Sequence, residues 1–213
     1  MFQQAIEILL SLPAVFLAIS FHEYAHAFTA DKLGDDTPRR QGRLTLAPLA
    51  HVDWIGLILF ALFGYGWAKP VQVNPSNFKN KKTGDILVSL SGPAANFLVA
   101  IICLLLYVAL IAVNSSAAAM DTILAVVDYC IYLNIVFALL NLIPIPPLDG
   151  YHVIKTLLFR SWTRFFIAYE KLGIFILFAF LLFGLFDFAV SRPALTIYSF
   201  LMTTGQSILT LLQ

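Results

Sequence analysis

His22, Glu23 and His26 form the pattern H-E-x-x-H inside an apolar run that extends from Ala5 to Ala30. On a helix the two histidines are four residues apart and share a face, so their imidazole nitrogens can bind one Zn²⁺. Glu23 directly follows the first of them, in position to handle the proton of an attacking water; this is the arrangement of zinc-assisted peptide hydrolysis. A soluble helix can carry such a spacing by chance. A membrane helix carries it at a cost of about 2.5–3.5 kcal/mol per charged side chain on insertion scales, so three ionisable groups in one turn need a compensating partner. A bound cation supplies it.

A catalytic zinc takes three protein ligands and keeps a fourth position open, so a third residue is required. The candidates are Asp35, His51, Asp53, Asp149 and His152. Asp149 is favoured, because it follows Pro144-Ile145-Pro146-Pro147, where prolines exclude regular helix, and Gly150 allows a sharp turn. Non-helical backbone at membrane depth persists only against protein or a polar cavity. The competing role for Asp149 is an N-cap for a helix beginning at Tyr151. His51, Asp53 and Asn96 are read as residues that support the site or position substrate, and His152 has a surface role equally open to it.

The elements that must hold these groups follow from hydropathy. The chain has 213 residues, 60% hydrophobic and only 12% charged, with mean hydropathy +0.86, which excludes an ordinary soluble core and indicates one polytopic membrane domain over 1–213. The net charge of +1 and the confinement of basic residues to loops give no nucleic-acid surface. Cys103 and Cys130 lie in apolar runs without C-x-x-C spacing, so neither a thiolate metal site nor a disulfide framework is expected. The N-terminal run lacks a basic n-region and a small-residue cleavage site, so the first helix is expected to be retained.

That helix is expected from Phe2 to Lys32, kinked at Pro13. A polar stretch from Asp31 to His51 follows, with strand character at Arg43-Leu44-Thr45-Leu46. The run from Val52 to Trp67 is short for a span and broken by Gly56, Gly64 and Gly66, which predicts a re-entrant segment. Val71-Gln72-Val73-Asn74 alternates like an edge strand able to pair with an unwound peptide. Spans are expected over Ile86–Val113 and Thr122–Leu142, with Asn134 and Asn141 on one inward face. A short amphipathic helix over Tyr151–Arg164 and spans over Phe165–Val190 and Ala194–Leu212, joined by a turn at Arg192-Pro193, complete the reading. Phe175, Phe178, Phe180, Phe183, Phe186 and Phe188 are assigned to lipid contact or packing. The fold class is thus an all-α polytopic membrane protein with five to six transmembrane helices, a re-entrant segment and a short membrane-associated β hairpin or sheet.

With Val52–Trp67 re-entrant and five spans, twelve of the thirteen Lys and Arg residues face the cytoplasm, as the positive-inside rule favours. The expected location is the inner or plasma membrane, multi-pass, with the metal site toward the cytoplasm. The lipid bilayer is the obligatory partner, and self-association is left open.

His22-Glu23-Tyr24-Ala25-His26, Gly42-Arg43-Leu44-Thr45-Leu46, Gly92-Pro93-Ala94-Ala95-Asn96 and the stretch from Asn141 to Gly150 together resemble the site-2 protease family of intramembrane zinc metalloproteases. The resemblance is to its small bacterial members and covers nearly the whole chain. It implies one Zn²⁺ held by His22, His26 and Asp149, with Glu23 as the base and Asn141 at the substrate carbonyl. It also implies transmembrane protein substrates. The chain departs from other relatives in showing no PDZ-like or CBS-like module. The rival reading is a divalent-metal transporter or metal-sensing membrane protein, since inward His, Asp and Asn also describe an ion path.

Overall fold

The computed structural model describes residues 2–63, 66–113 and 118–212. These are mostly helical. The helices are α1 (Phe2–Lys32), the single turn α2 (Thr37–Arg40), α3 (Trp54–Phe63), α4 (Lys81–Ala112), α5 (Ala118–Asn141), α6 (Asp149–Leu182) and α7 (Arg192–Leu212). Among the described residues four stretches are long and apolar enough to cross a membrane: Ile6–Lys32, Lys81–Ala112, Ala119–Asn141 and Trp162–Leu182. The neutral loop expected from Asn114 lies partly outside the described residues.

Helix ends are set by local chemistry. Gly34, at φ +107°, closes α1: its N–H donates to Asp31 C=O and the Asp35 N–H to Ala30 C=O, the paired bonds of a Schellman stop that only glycine adopts without strain. The Asn80 side chain accepts from the Thr83 N–H and starts α4. Ala14 of α1, Val99, Ala100, Cys103 and Leu104 of α4, Val127, Ile131 and Ile135 of α5 and Ala194 of α7 form one buried apolar core. Small residues at the crossings let these helices approach closely. Phe175, Phe178, Phe183 and Phe188 are exposed, whereas Phe180 is buried. The Phe-rich segment therefore divides between packing and an outward apolar face suited to lipid.

The chain from Val52 to Ala68 folds back on itself. Val52 and Ala68 form an isolated antiparallel bridge, the Lys69 N–H donates to His51 C=O at 2.9 Å, and Gly56 and Gly66 sit where a Cβ would strike the opposing backbone. Both ends of this hairpin thus emerge together, and its ten-residue helix α3 is about 15 Å long, half a hydrocarbon core. No strand ladder forms among the described residues, either at Arg43–Leu46 or at Val71–Asn74.

One expectation about the C-terminal half holds in outline and one changes. The short helix and the span after it lie end to end in α6 and are parted by a kink at Trp162 (φ −132°, ψ 31°), close to the boundary expected at Arg164. The turn before the last helix falls at Gly184, φ +70°, and not at Arg192-Pro193. Pro193 lies within continuous helix: Asp187–Ser191 form a π-helical turn that runs directly into α7, with the Arg192 N–H donating to the Asp187 carbonyl, and this widened turn carries the chain past a residue that has no N–H to give.

Candidate active site

The turn His22 to His26 lies in the second half of α1, both imidazoles and Glu23 are buried, α4 packs against the rings at Gly92, and Asp149 at the start of α6 reaches them. His22 Nδ1 donates to Asn96 Oδ1 at 2.7 Å and His26 Nδ1 to the Val88 carbonyl at 2.8 Å. The Asn96 amide is oriented by its own donors, which go to the Ala18 carbonyl at 3.0 Å and to Asn134 Oδ1 at 2.9 Å. Asn134 in turn donates to the Cys130 carbonyl. With both Nδ1 atoms carrying the proton, both Nε2 atoms present lone pairs to the same point.

Asp149 completes that point. Leu148 is the N-cap of α6 and has no side-chain capping bond, so Asp149 is the first helical residue and its carboxylate is not used as a cap. Its Oδ2 lies 3.1 Å from His22 Nε2 and 3.2 Å from His26 Nε2, which are 3.0 Å from each other. Gly150 has an ordinary helical φ. A Cβ there would meet the Leu142 carbonyl, so the glycine serves a close approach of the unwound segment and not the sharp turn anticipated for it.

Three lone-pair atoms within this distance, with Asp149 Oδ2 buried and lacking any hydrogen-bond partner, repel one another unless a cation lies between them. For bonds of about 2.0–2.1 Å the edge of a zinc tetrahedron is about 3.3 Å, so the triangle fits Zn²⁺ after a shift of a few tenths of an ångström. Gly92 of α4 leaves the necessary space: a Cβ on it would lie 2.5 Å from His26 Nε2.

Glu23, Asn141, Asp149, His152, Pro70 and Val71 share a cavity of about 790 Å³ with the two histidines. Glu23 Oε2 accepts the Val71 N–H at 2.8 Å, and Asn141 Nδ2 donates to the Phe137 carbonyl at 3.0 Å. His51 and Asp53 stand apart from the metal cluster. His51 is buried, with Nε2 against the Thr45 carbonyl, and Asp53 Oδ1 accepts the Ile55 and Gly56 N–H groups as the cap of α3. Asp35, also a ligand candidate, accepts from the Thr37 N–H and hydroxyl, the Asn74 N–H and the Asn77 amide. Burial pushes its carboxyl up, but these bonds outweigh that and leave it below the usual carboxylate range.

Sequence reasoning did not single out Val88, and it placed Val71 on an edge for substrate and Gly92 in a small-residue motif without assigning the first to Glu23 or the second to the imidazoles. Two act through backbone groups and one through an absent Cβ, so no side-chain chemistry signals these contacts. Asn134 was legible only as an inward amide.

The model of peptidase family M50 matches residues 11–184. The chain belongs to peptidase family M50. This is the family of the site-2 proteases, and membership makes the chain a zinc metalloprotease. The M50 chain is 45% identical over 147 residues to "Putative zinc metalloprotease YwhC" of Bacillus subtilis (strain 168), a match covering 67% of each protein. It is 30% identical over 148 residues to Rip2 of Mycolicibacterium smegmatis, whose name carries the same description; 65% of this chain and 53% of that protein are covered. Rip2 of Mycobacterium tuberculosis (strain ATCC 25618 / H37Rv) matches to the same extent, so the alignment spans about half the length of these mycobacterial relatives. No solved structure matches the chain.

Proposed function

We propose that this M50 peptidase hydrolyses peptide bonds in or near transmembrane segments of membrane proteins, as a single domain over 1–213. The observation that carries the reading is the buried triangle of His22, His26 and Asp149 acceptor atoms, with Glu23 beside it in one cavity. Zinc, when bound by these three residues, supplies a Lewis acid that polarises the scissile carbonyl and favours ionisation of the attacking water. Glu23 takes the proton of that water and returns it to the leaving amine nitrogen. Asn141 lines the same cavity; released from the Phe137 carbonyl, its Nδ2 donates to the substrate carbonyl oxygen as charge develops there.

A helical substrate shields its peptide bonds, so it must unwind locally before attack. The N–H and C=O groups of Gln72 and Val73 make no hydrogen bond among the described residues and offer an edge to the unwound piece. The closed hairpin 52–68 supports a re-entrant segment. The hydroxyls of Thr196, Ser199, Thr203, Thr204, Ser207 and Thr210 all donate to carbonyls of α7 itself, as a fifth span requires. Multi-pass topology with the metal site toward the cytoplasm follows from the positive-inside count. A transporter needs a series of ion sites across the bilayer, and the described residues contain one cluster.

Glu23→Gln keeps the side-chain shape and cannot accept a proton, so the purified variant should retain one zinc per chain and lose cleavage of a model transmembrane peptide by about 10²–10⁴. Cleavage at the parental rate would overturn the assignment of Glu23.

A further inference from the structure

Arg43 is a buried cation, 6% exposed, with no ion pair among the described residues. Its Nη2 donates to the Lys69 carbonyl and, at 3.0 Å, to the Pro70 carbonyl, while Nη1 has no partner. The next N–H along the chain is that of Val71, which donates to Glu23 Oε2. Pro70 and Val71 line the catalytic cavity and Arg43 lies outside it, so any effect of Arg43 passes through this backbone. Burial pulls the guanidinium below its ordinary value, and the Glu23 charge acts against that pull, which places the two groups within electrostatic reach. The segment 69–74 is also held at Lys69 by the His51 carbonyl and at Asn74 by Asp35.

We propose that Arg43 is a positioning residue for the reaction: its grip on Lys69 and Pro70 holds the Val71 N–H on one oxygen of Glu23 and leaves the other oxygen to take the proton. The proposal rests on Glu23 being the base. A glutamate has three rotatable bonds, and anchoring one oxygen removes most of that freedom before substrate arrives. A guanidinium buried without a carboxylate is expensive, and two backbone carbonyls at the catalytic base are what it serves. Lysine carries the charge but lacks the planar donor set.

The test is a two-site cycle on the zinc-loaded full chain, with kcat and KM measured separately on a transmembrane peptide. One change is Arg43→Gln; the other replaces the Val71 residue by its α-hydroxy acid, so that an ester removes only the N–H. Each should lower kcat by about 10- to 10²-fold, the scale of a misplaced catalytic group, with KM and zinc content unchanged. Combined, they should cost no more than the worse one alone, because they break one linkage. Losses that multiply, or a kcat within about two-fold of the parent for either change, overturn the proposal. If Arg43→Gln does not fold, Arg43→Lys takes its place in the cycle with the same two outcomes. An active Glu23→Gln control defeats the base assignment itself; an inactive control beside an unimpaired Arg43→Gln defeats only the role of Arg43.

Discussion

Gly92→Ala adds one methyl group at the most crowded point of the site. A Cβ on Gly92 would lie 2.5 Å from His26 Nε2, 2.6 Å from His22 Cε1 and 2.7 Å from His26 Cε1, where ordinary contact begins near 3.4 Å. The rings would have to retreat by about 1 Å, against a tolerance of about 0.2 Å in metal–ligand distance. They cannot retreat freely, since each is tethered at Nδ1, one to Asn96 and one to the Val88 carbonyl. Disturbing only the partners of metal ligands costs about 10–100-fold in affinity, and displacing two ligand rings should exceed that. The folding cost of the extra methyl should be about 1–3 kcal/mol, small enough to leave a folded protein for assay. Zinc per chain is measured after equilibration with chelators of graded strength, beside thermal unfolding and peptide cleavage. A folded Gly92→Ala protein with parental zinc affinity and parental cleavage would refute the placement of α4 against the two imidazoles.

Asp149→Ala removes one of three ligand atoms, so zinc affinity should fall by more than about 10²-fold, the upper range for a mere supporting contact; full zinc by elemental analysis would count against Asp149 as a ligand. Asp35 has a depressed folded value, so its contribution to stability is present above the ordinary carboxylate value of about 4 and is lost as pH falls through the folded one. Asp35→Ala should accordingly flatten the acid side of the stability profile between pH about 5 and about 2, and an unchanged profile there would remove the clamp on Asn74 and Asn77. In a chain with Cys103 and Cys130 replaced, Gln41→Cys and Lys81→Cys should both resist an impermeant thiol reagent applied outside intact cells. Labelling of Lys81→Cys alone would exclude a hairpin at 52–68 that returns to its side of entry.

His22, Glu23 and His26 were legible because their relation is local: helical periodicity alone places both imidazoles on one face, and hydropathy alone makes that face costly without a cation. The prolines from Pro144 to Pro147 marked an unwound segment for the same reason, since the missing N–H is a property of the residue. The hairpin 52–68 was visible through its length and its glycines. Tertiary structure decided what depends on groups distant in sequence. Among five acidic and histidine candidates, only the fold shows that Asp149 leads α6 toward α1 while Asp35 and Asp53 bond backbone N–H groups elsewhere. Val71 and Val88 act through their own main-chain N–H and carbonyl, and the Arg43 guanidinium acts on the main-chain carbonyls of Lys69 and Pro70; every residue possesses such groups, so no pattern of side chains announces these pairings. A bond to the backbone is specified by where the chain passes, and that path is set by the packing of α1, α4, α5 and α6 as a whole.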